Sequence, residues 1–240
     1  MKILVTICAR GGSKGIPGKN IKLINGKPLI AYSIDLANQV KEKLGAKISI
    51  STDDVKIKNI IEKFGIISEY NRPTHLASDH AGKIDTIRDL LKFEESIIHN
   101  EYEYILDLDV TSPLRNIDDI LNSFKIFESN KNCETLFSVN IASRNPYFNM
   151  VEQNENGFFT LVKTNSDGTL MTRQSAPKVY DLNASFYWYR RDFFNMDIKS
   201  PITEKSLIYE MPHVCFDLDH KIDFDFMEYL IVNNKLDFLF

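Results

Sequence analysis

Two short stretches near opposite ends of this chain carry the residue types that handle phosphate. In the first, an apolar, β-prone run at 3–7 stops at Ala9-Arg10-Gly11-Gly12-Ser13-Lys14-Gly15-Ile16-Pro17-Gly18-Lys19-Asn20. Glycine accepts positive φ without steric cost, so such a loop can turn its backbone N–H groups toward one anion. Arg10, Lys14 and Lys19 add positive charge around that point, and cations this close repel one another unless an anion sits among them. In the second, Phe216-Asp217-Leu218-Asp219-His220-Lys221-Ile222-Asp223-Phe224-Asp225 is acidic. Asp217 and Asp219 stand two apart at the end of an expected strand, 213–217, so both carboxylates face the same way. Like charges so placed cost free energy unless a cation lies between them. Oxygen-only ligands favour Mg²⁺, which uses one or two carboxylates and completes its shell with phosphate oxygens and water. The alternative is a helix N-terminus whose dipole favours acids, and that reading is preferred for Asp223 and Asp225. A basic loop and an acidic pair together match metal–polyphosphate chemistry, which neither stretch carries alone.

The two common phosphate-loop patterns are absent. Gly18-Lys19 is preceded by Ser13 where G-x-x-x-x-G-K-[ST] needs glycine, and it is followed by Asn20 instead of a hydroxyl. No two glycines in the loop sit two apart, which excludes G-x-G-x-x-G. None of the five histidines falls in a recognised motif.

These groups need a scaffold, and the pattern of the chain supplies one. Asn25-Gly26 marks a turn and Pro28 fits a first helical position, ahead of an amphipathic helix through Ala37. An alternating strand at 47–53 follows, then a helix at 55–64 and a short strand at Ile66-Ile67. Asp79 or Ser78 is positioned to cap a long helix to about Ile98. Residues 103–109 read as a strand ending in Val110-Thr111-Ser112-Pro113-Leu114-Arg115, and Asn116 caps a helix to about Ser129. A strand covers 136–139. The β-α-β-α-β order implies an α/β fold with a mainly parallel sheet, right-handed crossovers and both faces covered. Ligands in such sheets lie beyond the C-terminal strand ends, where the glycine loop and Ser51-Thr52-Asp53 both fall. From Arg144 to Arg173 turn residues suggest β-hairpins, a projecting insertion that serves as a lid or an oligomer contact. Tyr187, Trp188 and Tyr189 return the chain to the core, and a last helix spans about 221–234.

Length and composition set the outer limits. A chain of 240 residues fits one domain with a small appendage, and 43% hydrophobic with 26% charged residues is ordinary for a globular protein. A formal net charge of -4 argues against general nucleic-acid or membrane-surface binding. No apolar run approaches membrane-spanning length and the N-terminus lacks a signal-peptide pattern. Cys8, Cys133 and Cys215 are widely spaced, which suits free thiols in a reducing cytoplasm.

The loop at 9–20 resembles the signature of the acylneuraminate cytidylyltransferases, the CMP-sialic acid synthetase family. Ser51-Thr52-Asp53, Arg72-Pro73 with Leu76-Ala77-Ser78-Asp79, Thr111-Ser112-Pro113-Leu114-Arg115, Arg173-Gln174 and Asp217-Leu218-Asp219 follow in the family's order over nearly the whole chain. The resemblance implies a single cytidylyltransferase domain over 1–240, a three-layer α/β/α nucleotide-binding fold. It also implies a small β-hairpin dimerisation insertion at about 144–173, hence a homodimer. The implied reaction transfers CMP from CTP to a nine-carbon 2-keto sugar acid (a nonulosonic acid), with Mg²⁺, releasing pyrophosphate.

By the same resemblance, Arg10, Lys19, Asp217 and Asp219 are the expected catalytic residues, with the two aspartates holding the metal. Ala9, Gly11, Gly12, Ser13, Lys14 and Asn20 join Arg10 and Lys19 at the nucleotide phosphates, with Arg72 and Ser78 near the cytidine. Arg173 matches a sugar-side arginine able to clamp a carboxylate, and suits a surface or dimer ion pair nearly as well. Gln174, Asn183, Tyr147 and Phe148 are further sugar-side candidates. Asp109 departs from the sialic-acid enzymes, which carry glutamine there. An ionised aspartate only accepts hydrogen bonds, which changes the sugar substituents that fit. Asp109, residues 144–149 and residues 172–178 look more like the bacterial CMP-legionaminic acid synthetases, so a legionaminic-type acid is expected. N-acetylneuraminate, pseudaminic acid and Kdo are the alternative sugars. A glycosyltransferase of related architecture and a catalytically dead nucleotide-binding regulator are the alternative classes.

Overall fold

The computed structural model describes residues 1–12, 16–78, 80–164 and 175–240. Its frame is a six-stranded sheet in the order β10-β6-β9-β5-β1-β4. The strands are β1 Ile3–Cys8, β4 Lys47–Ser51, β5 Tyr104–Leu108, β6 Thr135–Ile141, β9 Tyr180–Arg190 and β10 Ser206–Glu210. A two-residue ladder pairs β2 Leu23–Ile24 with β3 Lys27–Pro28, and β7 Val151–Gln153 pairs with β8 Phe159–Leu161. The helices are α1 Leu29–Leu44, α2 Val55–Lys63, α3 Lys83–Ile98, α4 Ile117–Ser129 and α5 Lys221–Val232.

Strand β1 runs parallel to both β4 and β5, with Val5 opposite Ile48 and Leu106. Ile3, Leu4, Val5 and Ile7 are all buried, so both faces of β1 are covered. That is why this segment reads as a continuous apolar run instead of an alternation. Strand β9 enters antiparallel to β5 and divides its aromatics by the period of two. Trp188 meets Phe124 and Phe127 of α4 on one face, while Tyr189 meets Phe193 and Phe194 on the other. Helix layers on both faces of a mainly parallel sheet are the architecture expected.

Local chemistry accounts for several helix starts. Asn116 and Asp119 form a reciprocal capping box on α4, with N–H to carboxylate and N–H to amide bonds of 2.8 and 3.1 Å. Asp54 caps α2 through the Lys56 N–H. Helix α3, however, begins at Lys83 after Gly82, because residues 74–77 close a separate 3₁₀ turn that leaves Ser78 extended.

Two expected strands do not form. Ile66-Ile67 makes no ladder; the Ser68 hydroxyl bonds the Ile50 carbonyl at 2.9 Å instead, and Ile67 is open to solvent. The last strand is β10 at 206–210, and residues 213–217 form an extended loop. Alternation at 213–217 fits any extended segment, and the hydrogen bonds here go to another loop. Leu218 N–H donates to the Thr111 carbonyl and the Ser112 hydroxyl to the Phe216 carbonyl.

The chain divides into two compact units, one of residues 1–138 with 183–240 and one of residues 139–182. The second holds the β7–β8 hairpin, turned by Gly157 at φ +82°. Val151, Phe158 and Phe159 on it are exposed. Among the described residues no helix is long and apolar enough to cross a membrane, and Cys8, Cys133 and Cys215 are free thiols.

Candidate functional site

The C-terminal ends of β1, β4 and β5 lie side by side in the first unit. Above them opens a cleft of about 420 Å³ lined by Arg10, Lys19, Arg72, Ser78, Asp109 and Asp219, among others. Parallel strands end their side-by-side ladders here, leaving backbone groups and loops free to meet a ligand.

The glycine loop is held by side chains from several places. Ala9 N–H bonds the Ser51 carbonyl at 2.9 Å, which carries the β1–β4 ladder one residue further. The buried Asn20 amide donates to the Arg10 carbonyl at 2.8 Å and closes the loop on itself. Gly11 N–H reaches Asp53 Oδ1 at 3.1 Å, and a Cβ on Gly11 would stand 2.5 Å from Asp54 Oδ2. Gly18 turns the chain at φ +65°. Glycine is thus needed at 11 for close approach and at 18 for backbone conformation. Gly12 lies in open space.

Lys19 joins the two ends of the chain. Its Nζ donates to the Leu218 carbonyl at 2.6 Å, across 199 residues, and lies 3.4 Å from Asp219 Oδ1. Leu218 is buried, with Asp217 and Asp219 flanking it. Burial raises the Asp217 carboxyl above its ordinary value, and the charges of Asp109 and Asp219 raise it further. A hydrogen bond from Thr111 and the charge of Lys19 oppose them. Asp223 and Asp225 are otherwise engaged, as expected. Asp223 accepts the N–H groups of Asp219 and His220 at the start of α5, and Asp225 pairs with Lys221.

The donor set fits a divalent ion of the magnesium type. Asp217 and Asp219 offer hard oxygens; burial and, after it, the charges of Asp109 and Asp219 disfavour ionised Asp217, a cost that a cation would relieve. Among the described residues no group of three or more His, Cys, Asp or Glu converges, so transition-metal sites built from several such side chains find no match there.

The other expected residues fall in different places. Arg72 lines the cleft, yet its Nε and Nη2 are committed to the Ser51 hydroxyl and carbonyl at 2.8 and 2.7 Å, which fixes the end of β4. Asn183 does not line the cleft. Its amide oxygen accepts from the Ser138 hydroxyl and the Ser185 N–H, and its carbonyl accepts from Ser112, all buried. This places it as a brace under the Thr111–Arg115 loop. Tyr147 and Phe148 belong to the second unit, where Lys163 lies over the Tyr147 ring. Ser13, Lys14, Arg173 and Gln174 lie outside the described residues.

Lys83 and Asp107 were missed by the sequence reading. Asp107 and Asp109 are two apart, so both project toward α3, whose first residue is Lys83. Lys83 Nζ stands 2.7 Å from Asp107 Oδ2 and 2.5 Å from Asp109 Oδ2. Asp107 is fully buried and also accepts the Thr6 hydroxyl at 2.8 Å. Burial opposes a charged Lys83, but Asp107 and Asp109 more than offset it and hold its pKa well above the usual value. Burial likewise opposes ionised Asp109, yet Lys83 and two donors from Thr111 bring it down to about 2. Two signals were available: an acid amid Ile105, Leu106 and Leu108, and a cation at a helix start, against the dipole.

Arg115, 3% exposed, ties this loop down from beneath. It donates to the carbonyls of Asp109, Ser112 and Ser185 and to the Ser33 hydroxyl at 2.6 to 2.8 Å. Cys8 also lines the cleft, but burial and then the nearby Asp107 push its thiol up to about 12, so it stays protonated.

Comparison with known proteins agrees with this geometry. The family profile described as Cytidylyltransferase matches residues 4–238. The post-translational flagellin modification protein B of Campylobacter coli is 41% identical, over 98% of this chain and 97% of its own. The CMP-N,N'-diacetyllegionaminic acid synthase of Campylobacter jejuni is 40% identical, over 96% of this chain and 95% of its own. A structure of CMP:2-keto-3-deoxy-manno-octonic acid synthetase complexed with CTP superposes with a TM-score of 0.69 at 18% identity, over 98% of this chain and all of that one. That last likeness concerns the fold.

Proposed function

Because this chain belongs to the cytidylyltransferase family and is a nucleotidyltransferase, we propose that it activates a nine-carbon 2-keto sugar acid of the legionaminic type with CTP. The anomeric hydroxyl attacks the α-phosphorus, the bond to the β-phosphate oxygen breaks, and CMP-sugar and pyrophosphate result. One observation carries the reading: Arg10 and Lys19 from the N-terminal loop and Asp219 from the far end of the chain line one cleft.

Positioning and charge neutralisation supply most of the rate in such a transfer. Arg10 and Lys19 face the triphosphate and offset charge growing on the leaving group. Ser78 and Arg72 flank the cytidine, with Arg72 held rigid by Ser51. Asp217 and Asp219 would hold Mg²⁺, which supplies charge neutralisation at phosphate oxygens and a more acidic hydroxyl. Lys19 bridges the loop and the acidic pair, so it keeps both ready for one ligand.

The legionaminic assignment draws support from the Campylobacter jejuni relative, whose name carries that sugar, and from Asp109 in the cleft. The exposed apolar residues of the 139–182 unit favour a homodimer built through it. Free thiols suit a cytoplasmic site of action. The test is pyrophosphate release from CTP with a panel of N,N'-diacetyllegionaminic, pseudaminic, N-acetylneuraminic and Kdo acids. Release with the first above all others is expected. Preference for another acid would overturn the sugar, and no release with any would overturn the reaction.

A further inference from the structure

We propose that Lys83 is the residue that reads the sugar acid, its ammonium donating a hydrogen bond to an uncharged oxygen of the sugar, a hydroxyl or an acyl carbonyl. The inference rests on the reading above that the sugar occupies the Asp109 end of the cleft.

Three observations converge on it. Lys83 lines the cleft and leaves 34% of its side chain open, whereas Asp107 behind it is wholly buried. The exposed part of the Lys83 side chain is therefore on the cleft side. An ammonium has three N–H donors, and the two facing carboxylate oxygens occupy at most two of them. Asp109, the residue sequence reasoning placed against the sugar, is already engaged at both oxygens. Thr111 N–H and hydroxyl donate to Oδ1 at 2.8 and 2.9 Å, and Lys83 donates to Oδ2. The uncommitted hydrogen-bond donor at this end of the cleft thus belongs to the cation, with Asp109 as its holder and at most one acceptor site left on Oδ2.

Charge selects the kind of group that Lys83 meets. One ammonium between two carboxylates leaves a net charge of about -1 for the cluster, so a third carboxylate would be repelled. A neutral acceptor gains a charge-assisted bond without that repulsion. Nζ also lies over the face of the Tyr187 ring, 5.4 Å from its centroid. Because Asp107 and Asp109 already fix the lysine, little side-chain freedom is lost when the sugar binds. Asp107 is a positioning residue here: it reaches Lys83 and Thr6 and lies out of the cleft.

The test compares Lys83→Met with the double variant Lys83→Met/Asp107→Asn, which keeps the cluster at its original net charge if the single variant fails to fold. Each is assayed for KM of the sugar acid and of CTP, with calorimetric binding of CTP and of the sugar acid measured apart from turnover. The expected result is a KM for the sugar acid raised at least about tenfold, with CTP affinity within about twofold of wild type. Lys83→Arg, which keeps a donor, should recover part of the loss. An equal loss of CTP binding would reassign Lys83 to the nucleotide or to the scaffold, and unchanged sugar-acid binding would remove it from recognition. A wild-type protein that binds CTP and sugar acid without releasing pyrophosphate would count against the reaction, leaving the Lys83 assignment to stand or fall on the binding data. Failure of the wild type to bind any sugar acid would overturn it.

Discussion

Two lysine–aspartate pairs, each with its lysine lining the same cleft, differ in almost everything else. Lys19 and Asp219 meet at 3.4 Å on the rim, with 67% of the Asp219 side chain exposed. Lys83 and Asp107 meet at 2.7 Å on the floor, with Asp107 at 0%. A pair open to water is worth at most about 1 kcal/mol and is screened by salt. A pair closed from water is hard to break, because the partner left behind carries an unpaired charge. The rim can therefore exchange its partners for a phosphate or a metal ion at little cost. The floor arrives set. On the proposed reading, the first pair serves the reaction and the second serves recognition.

The largest effect is expected at the rim. Asp219→Ala should lower turnover about a thousandfold, or ~4 kcal/mol of transition-state stabilisation, with the melting temperature nearly unchanged. Steady-state pyrophosphate release alongside thermal unfolding checks both halves, and a large fall in stability would erase the distinction between rim and floor. The reverse pattern is expected at the floor. Asp107→Asn should cost about 3 kcal/mol of stability, read by urea denaturation, because it leaves Lys83 with one partner and changes the acceptor of Thr6. Equal stability of that variant would mean the floor pair is as loosely held as the rim pair. A smaller effect is expected from Gly11→Ala. Its Cβ would meet Asp54 Oδ2 at 2.5 Å, so the loop must shift and CTP should bind about tenfold more weakly, ~1.4 kcal/mol.

The smallest effect separates the floor from a third pair, remote from the cleft. His213 Nε2 lies 2.9 Å from Asp119 Oδ2, and Phe238 stacks on the imidazole. Burial works against the charged ring, but hydrogen bonds to Asp119 and the Val214 carbonyl prevail and raise it above 6.5. Its stabilisation is then full below the unfolded value near 6.5 and is lost as pH rises through the folded value. Asp109 behaves oppositely. Its stabilisation is present above the ordinary carboxylate value and is lost only as pH falls toward about 2. The melting temperature should therefore decline modestly above pH 6.5, and His213→Asn should flatten that decline without altering KM. A decline that survives the substitution would point to other groups.

Residues whose partners are close in sequence were legible from the outset. The capping box of Asn116 and Asp119 and the turn at Gly18 follow from local hydrogen bonding and local sterics, and the burial of β1, though made by distant strands, shows in its continuous apolar run. The proposal that the loop at 9–20 binds phosphate rests on the same kind of local signal. The strand at 206–210 was read seven residues late, because alternation reports extension and is silent about the ladder partner. Asn183 is expected against the sugar, while its amide oxygen accepts from Ser138, distant in sequence, and from the nearby Ser185 N–H.

The amino-acid sequence by itself determined the helices, most of the strands, the cationic loop and the acidic pair, because spacing, caps and glycine positions act within a few residues. Only the tertiary structure decided that Lys19 would reach Leu218 across 199 residues and that Lys83 would settle between Asp107 and Asp109. The reason is desolvation: how strongly a charge needs a partner depends on the water left around it, and that is set by what the fold packs against it.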